Sequence, residues 1–208
     1  LILAGLGISI INSVKLWNLG AEGQIFLGAI AVNFIYINTQ FNNPSFHILV
    51  LLLAGFVGGS VCILIPAITK VVFGVNEIIT TLLTNYIVFG VTIFLINGPW
   101  KDPKSLNFPA AAYVGEEVFL PTVIGKLSFG FLICILFTFV AHYLKNKSVF
   151  GFEMRIAGGS AMTAIYAGIN AKQKAFIAML IGGGFAGLAG AIELLSQTHR
   201  VSTGISQG

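Results

Sequence analysis

Two short polar stretches interrupt an otherwise apolar sequence, and their residue types suit hydrogen bonding to a polar solute. The first contains Asn18, Glu22 and Gln24, with glycines on both sides of Glu22, the only acidic residue in the first 76 positions. An ionisable side chain at membrane depth usually faces a polar cavity or a partner, and glycines allow the backbone to break there. One prediction is a broken helix that lines a cavity. The alternative is an interfacial turn in which Glu22 pairs with Lys15 or caps the next helix.

The second polar stretch runs from Asn76 to Tyr86. On a helix, Glu77, Thr81 and Asn85 share one face because they recur every four residues. Such a stripe can hydrogen-bond a sugar-like ligand, or it can bond to the neighbouring helix. Both interpretations remain open from the sequence.

Catalytic and metal-binding patterns are missing from the sequence. There is no Gly-x-x-x-x-Gly-Lys-Ser/Thr loop for a nucleotide, and His47, His142 and His199 each stand alone. We therefore predict a protein that is not an enzyme and has no metal or cofactor. Any energy for transport must come from elsewhere.

The composition predicts that these residues are held by membrane helices. Of the 208 residues, 56% are hydrophobic and 9% are charged, and no charged residue occurs between Gly23 and Thr69. A soluble domain has about 25% charged residues. We therefore predict a protein of the lipid bilayer without a nucleic-acid partner, and interpret the net charge of +4 as membrane-flanking lysines and arginines.

Six apolar runs are candidates for membrane helices. Three of them are clear spans: Phe46 to Ile68, Ile78 to Ile96 and Ala175 to Leu195. The run Leu127 to Tyr143 is shorter, and we interpret Leu1 to Leu16 as a truncated span. The glycines between positions 175 and 195 predict close helix packing.

The sixth run, Ile25 to Ile37, has only 13 residues. As a helix it would reach about 20 Å, which is about 10 Å short of the hydrocarbon thickness. If this run crosses the membrane, the polar residues before it must lie at membrane depth. The predicted fold is an all-α, polytopic transmembrane helical bundle with a broken or re-entrant helix, formed by a single domain (1–208) cut at both ends.

The distribution of Lys and Arg predicts the orientation. Five of these residues lie in the 144–174 loop, which we place in the cytoplasm, and alternation places the 97–126 loop on the outer face. Because four prolines interrupt it, the outer loop is either an ordered platform or a solvated connection with a short helix over Ala110 to Val114.

The cytoplasmic loop contains a short helix signal. Ser160 can cap a helix over Ala161 to Ala167, which Gly168 would end in the left-handed conformation. The face formed by Met162, Ile165 and Tyr166 is apolar. It suits a groove on a soluble partner, or alternatively a helix lying on the lipid surface with Arg155 and Lys172 at the headgroups.

Three motifs carry a family resemblance: Trp17-Asn-Leu-Gly-Ala-Glu-Gly-Gln24, Gly74-Val-Asn-Glu-Ile-Ile-Thr-Thr-Leu-Leu83 with Asn85-Tyr86-Ile87, and Gly151-Phe-Glu-Met-Arg155 running on to Ile169. In this order they resemble the inner-membrane permease subunits of bacterial binding-protein-dependent ABC importers, in the branch for nucleosides and simple sugars. The resemblance covers nearly the whole chain. It departs in the coupling helix, where the charged residues of many relatives are replaced by Ser160-Ala-Met-Thr-Ala-Ile165.

The resemblance implies a transporter of two permease subunits, identical or different, with two ATP-binding subunits and an extracytoplasmic solute-binding protein in the bacterial cytoplasmic membrane. The 144–174 loop would be the coupling loop, with candidate coupling residues Gly151, Glu153, Arg155, Gly158, Ser160, Met162, Ile165, Tyr166 and Gly168. The candidate substrate-pathway residues are Asn18, Glu22, Gln24, Asn76, Glu77, Thr81 and Asn85. Alternatives are an ion-coupled secondary transporter with a proton on Glu22 or Glu77, and, less favoured, an intramembrane enzyme.

Overall fold

A computed structural model describes residues 1–103, 109–124 and 127–205. These residues form eight α-helices: α1 Ile2–Asn12, α2 Ala21–Asn38, α3 Pro44–Phe73, α4 Glu77–Asn97, α5 Phe129–Asn146, α6 Val149–Gly159, α7 Ala161–Tyr166 and α8 Ala171–Glu193. A π-helical turn, Leu194–Thr198, continues α8. Between α4 and α5 lie a 3₁₀ turn, Glu116–Val118, and two short antiparallel strands, β1 Thr122–Ile124 and β2 Leu127–Ser128.

Four of the described helices are long and apolar enough to cross a membrane: Pro44–Phe73, Glu77–Asn97, Phe129–Asn146 and Ala171–Thr198. The chain is a multi-pass membrane protein, and the all-α helical bundle expected from the sequence is confirmed. The two short strands were not predicted, and α5 begins after them at Phe129.

Local capping sets the connection between α3 and α4. The left-handed Gly74 (φ 69°) ends α3, and the side chain of Asn76 accepts a hydrogen bond from the backbone N–H of Ile78 at the start of α4. Only three residues separate the two helices, so they run in opposite directions. Both helices extend beyond the runs predicted from hydropathy because the caps lie outside the apolar residues.

Helix α8 is the centre of the bundle and packs against α1, α2 and α3. At the crossing of α3 and α8 the backbones touch, because a Cβ atom on Gly187 would lie 2.6 Å from the Cα of Gly59. A Cβ atom on Gly28 of α2 would collide with the carbonyl oxygen of Gly187. The predicted packing role of the α8 glycines is therefore confirmed, and it extends to Gly59 in α3.

The contacts divide the loops between two ends of the bundle. At one end, the 13–20 connection lies beside the start of α4 and the end of α6. At the other end, the hydroxyl of Tyr36, near the end of α2, accepts a hydrogen bond from the N–H of Gly115. The 144–174 loop, which the charge count assigned to the cytoplasm, thus shares one end of the bundle with the 13–20 and 74–76 connections.

The polar stretch in which we predicted a helix break, residues 18–24, covers the end of the 13–20 connection and the first turn of α2. Ser9 of α1 contacts Lys145 near the end of α5, while Leu3 lies beside Gly130 at its start. Helix α1 therefore runs parallel to α5 and toward the end that holds the 144–174 loop, while α2 runs away from that end. The break separates two oppositely directed helices and does not interrupt a single one.

The bounds of these two helices differ from the sequence expectation. Helix α1 ends at Asn12, not at Leu16, and α2 has 18 residues, because it begins at Ala21 and not at Ile25. The polar residues Glu22 and Gln24 are thus inside the helix. The 13-residue length assumed for this span is wrong.

Residues 110–114 of the 97–126 segment pair with residues after α8. The N–H of Ala111 donates to the carbonyl of Val201, and the N–H of Val114 donates to the carbonyl of His199. Residues 110–114 are therefore extended, and the helix considered there is wrong. Lys104 and Lys126, which we assigned to the outer face, lie outside the described residues.

Candidate functional site

The polar stripe on α4 is used to hold the irregular connection between α1 and α2. The N–H of Leu19 donates to the hydroxyl of Thr81 (3.3 Å), and the N–H of Gly23 donates to Oδ1 of Asn85 (2.9 Å). Nδ2 of Asn85 donates in turn to the carbonyl of Leu19 (2.7 Å). Since the connection lacks a helical hydrogen-bond ladder, these side chains supply partners that its backbone needs.

Asn18 and Gln24 form a reciprocal amide pair at the centre of this region. Each amide nitrogen donates to the other's oxygen, at 3.0 and 3.1 Å, and both side chains are buried. Oδ1 of Asn18 also accepts from the N–H of Gly20 at 2.8 Å. The pair closes the turn into α2, which explains how Gln24 can be buried in an apolar helix.

Glu77 and Asn76 lie at the beginning of α4. The carboxylate of Glu77 is 2.7 Å from the ammonium of Lys70, and its Oε1 accepts a long hydrogen bond (3.4 Å) from the N–H of Trp17. Asn76 caps the helix. Both side chains thus have local structural partners.

Glu22 has a different environment from the other acidic candidate. In the described part of the chain its carboxylate has neither an ion-pair nor a hydrogen-bond partner, and it is not paired with Lys15. It lines a cleft of about 240 Å³ with aromatic, aliphatic and amide side chains of α2 and α4, namely Phe26, Leu82, Asn85, Tyr86 and Phe89. Glu77 does not line this cleft, because Asn85, which does, lies eight residues beyond it, about 12 Å further along the axis of α4.

The arrangement of this cleft suits a neutral polar solute. A carboxylate can accept hydrogen bonds from hydroxyl or amino groups, and Tyr86 and Phe89 offer flat apolar surfaces. Of the seven predicted pathway residues, the structure brings Glu22 and Asn85 to the cleft. Asn18, Gln24, Glu77 and Thr81 do not line the cleft and bond to other protein groups, and Asn76 lies at the helix cap.

Sequence reasoning missed a further carboxylate, Glu193, which lies within a candidate membrane span. It is partly buried at the end of α8, directly before the π-helical turn, and lines a cleft of about 540 Å³ with Gln197 and Ile25. The available signal was an acidic residue inside the last apolar run together with a glutamine one helical turn later. π-Helical turns often accompany functional sites, so Glu193 is an additional candidate.

The short helix predicted after Ser160 is present. The hydroxyl of Ser160 accepts from the N–H of Thr163, α7 covers Ala161–Tyr166, and Gly168 has a φ of 68°. The helix ends one residue earlier than predicted. The side chains of its apolar face, Met162, Ile165 and Tyr166, are all exposed.

Four other predicted coupling residues fix α6 on the bundle. Gly151 is buried against the carbonyls at the end of α5, and Arg155 donates to one of them, that of Lys145. The carboxylate of Glu153 lies 2.6 Å from the ammonium of Lys174 at the start of α8. At Gly158 a Cβ atom would lie 2.8 Å from the Cα of Val14, so α6 touches the connection that leads to Glu22.

Comparisons with known proteins agree with this architecture. Residues 1–208 match the family described as the permease component of branched-chain amino acid transport systems. The chain is 31% identical to a guanosine ABC transporter permease protein of Bacillus subtilis, over 92% of the chain and 56% of the relative. It is 30% identical to a glucose ABC transporter permease protein of Haloferax volcanii, over 100% of the chain and 57% of the relative.

A third relative is a nucleoside ABC transporter permease protein of Lactococcus lactis, 27% identical over 92% of the chain and 55% of the relative. The chain thus spans little more than half the length of these curated relatives. No solved structure matches it significantly. Because the family match extends over every residue, the chain belongs to the family of permease components of branched-chain amino acid transport systems.

Proposed function

We propose that this chain is the membrane-spanning part of an ABC importer permease, and that it forms the translocation pathway for a nucleoside or a simple sugar. The support comes from the family match and from relatives named for guanosine, nucleoside and glucose transport. As a transport component, the permease carries out no covalent chemistry. A bacterial inner membrane fits two of these relatives, while the third is from Haloferax volcanii.

The observation that carries the proposed pathway is the position of Glu22. Other polar side chains near it bond to each other or to the backbone, whereas its carboxylate faces the cleft without a described partner. Tyr86, which lines the cleft, is exposed, and α4 exposes further large apolar side chains such as Phe94. We expect a second permease subunit, identical or different, to cover these side chains and enclose the pathway.

We expect separate ATP-binding subunits to drive transport and to bind α7 in a groove. The exposed Met162, Ile165 and Tyr166 supply the apolar contact. Because α6 is tied to α8 through Glu153 and touches the 13–20 connection through Gly158, a shift of α7 would move the wall of the Glu22 cleft. An extracytoplasmic binding protein would deliver the solute to the opposite end, near the 97–126 segment.

The direct experiment is reconstitution of the full-length permease with its ATP-binding subunits and binding protein in proteoliposomes. We expect ATP-dependent uptake of radiolabelled guanosine or another nucleoside, or of glucose. ATP-independent uptake, or no uptake of either class by a complex that hydrolyses ATP, would contradict the proposal.

A matched pair of variants tests the coupling role of α7. Ile165 and Val149 are 70% and 75% exposed and lie at opposite ends of the α6–α7 segment. We expect Ile165→Asp to reduce ATPase co-purification and uptake about tenfold or more, because a charge would enter an apolar groove, and Val149→Asp to have less than a twofold effect. Equal effects of both substitutions would argue against docking by α7.

A second candidate function is ion-coupled secondary transport with a proton on Glu22, favoured by its unpaired carboxylate in the cleft. Glu77 suits this role less because Lys70 pairs with it. Uptake driven by a pH gradient in vesicles without any ATP-binding subunit would select this function, and Glu22→Gln should then abolish the coupling.

A further inference from the structure

Near the cytoplasmic end of the bundle, a second cleft lies between α1 and α5, away from Glu22. It has a volume of about 230 Å³, and its polar lining consists of Ser9, Thr138, His142, Lys145 and Asn146. Its remaining lining is apolar: Leu6 and Ile10 from α1 and Ala141 from α5. The cleft therefore has a basic residue, Lys145, next to an apolar groove between α1 and α5.

Lys145 is the charged group of this cleft, and its charge is not neutralised by a carboxylate in the described part of the chain. Its ammonium donates to the hydroxyl of Ser9 at 2.7 Å, and the cleft lining contains no acidic residue. By contrast, Lys70 and Lys174 each lie within 3 Å of a glutamate at the same end of the bundle. An ammonium has three donors, so Lys145 retains donors for a further acceptor.

Neighbouring groups add to the same chemistry. His142 and Asn146, one turn apart on α5, are hydrogen-bonded to each other at 3.2 Å. The guanidinium of Arg155 is fixed nearby because it donates to the carbonyl of Lys145. The cleft thus presents a cation and several polar donors directly next to an apolar groove.

From this geometry we propose that the α1–α5 cleft binds one anionic phospholipid, with the phosphate at Lys145 and an acyl chain along the partly exposed Leu6. Simple snorkelling of a lysine to the interface would need neither the Ser9 hydrogen bond nor a cleft. A basic pocket between helices on the cytoplasmic side is a typical headgroup site. A soluble phosphate would satisfy the ammonium but would leave the adjoining apolar groove empty.

Native mass spectrometry of the full-length permease tests this site. The delipidated protein is titrated with phosphatidylglycerol or with phosphatidylcholine, and the first bound lipid is quantified. We expect Lys145→Met to weaken the first phosphatidylglycerol about tenfold, as loss of a charge-assisted hydrogen bond implies, with little change for phosphatidylcholine. Lys145→Arg should keep the preference and serves as the test of intact folding.

Lys147→Met is the matched control, because it removes the same charge from the same end of α5 but outside the cleft lining. Equal weakening by Lys147→Met and Lys145→Met would mean general electrostatic attraction and would overturn the site. Competition by inorganic phosphate at millimolar concentration would identify a free-anion site and would also overturn it. The site would also be overturned if the Lys145→Met permease still bound its first phosphatidylglycerol but no longer bound its ATP-binding subunits.

Discussion

The contact between Asn85 and the 19–23 backbone gives a quantitative test of how the Glu22 cleft is built. Asn85→Ala removes the acceptor of the buried Gly23 N–H and the donor to the carbonyl of Leu19. A buried unsatisfied donor costs about 1–3 kcal/mol, and loss of an ordinary hydrogen bond costs about 0.5–1.5 kcal/mol. We therefore expect Asn85→Ala to lower the free energy of unfolding by about 1.5–4.5 kcal/mol.

The assay is thermal unfolding of the full-length permease in detergent, together with the uptake measurement. Thr84→Ala is the control, because the Thr84 hydroxyl bonds only to the carbonyl of Thr80 in its own helix, and we expect a change within about 0.5 kcal/mol. Asn85→Asp should lie between the two, since it keeps the acceptor for Gly23 and loses the donor to Leu19. If Asn85→Ala is no more destabilising than Thr84→Ala, the reasoning about this contact is refuted.

Three further predictions concern helix packing, coupling and pH. Gly187→Leu should prevent folding, because its Cβ atom would collide with the α3 backbone. Gly90→Leu, whose Cβ atom would point into open space, should be tolerated and is the control. A monodisperse peak in size-exclusion chromatography is the measure of folding, and equal behaviour of the two variants would contradict the packing account. Gly158→Val should reduce uptake at least fivefold while the ATP-binding subunits still co-purify. Gly159→Val is the control and should leave uptake unchanged, because no atom lies near its Cβ position. Loss of co-purification together with uptake in Gly158→Val would refute transmission through this contact. Burial lowers the pKa of His199, which stacks on Phe119. The folded state therefore binds fewer protons than the unfolded state, and its stability should fall as the pH drops below about 6.5. His199→Asn should show a smaller drop in melting temperature between pH 8 and pH 5.5, and an unchanged drop would argue against this origin.

Features encoded by neighbouring residues could be predicted from the sequence. Ser160 and Gly168 fixed both ends of α7 because a cap and a left-handed glycine act within one helical turn. The glycines of α8 predicted close packing because small residues on one helix have few other uses in a membrane. The 30-residue α3 was found from hydropathy, although its caps extended it.

Features that depend on distant residues could not be predicted. The spacing of Thr81 and Asn85 showed that they share a face, but their partners, Leu19 and Gly23, lie about 62 positions away in the chain. The start of α2 was misjudged because Gln24 is buried through its bond to Asn18, a compensation that hydropathy does not detect. The extended 110–114 segment likewise depends on residues 199–202.

The candidate site shows the same division. The sequence identified both polar stretches but could not tell which side chains face a cleft and which are consumed by backbone groups. That distinction separates Glu22 from Glu77, whose carboxylate is held by Lys70. Glu193 was missed because its significance comes from the π-helical turn that follows it.

The most direct test of the proposed pathway is the accessibility of position 22 in the working transporter. Glu22→Cys, with the native cysteines replaced, is labelled with a membrane-impermeant thiol reagent in the nucleotide-free and ATP-trapped states, with and without nucleoside; Lys15→Cys is the control. We expect the labelling rate at position 22 to differ between the states and to fall when solute is bound, while position 15 reacts equally throughout. Equal labelling of position 22 in all states, without protection by solute, would contradict the proposal that Glu22 faces the translocation pathway.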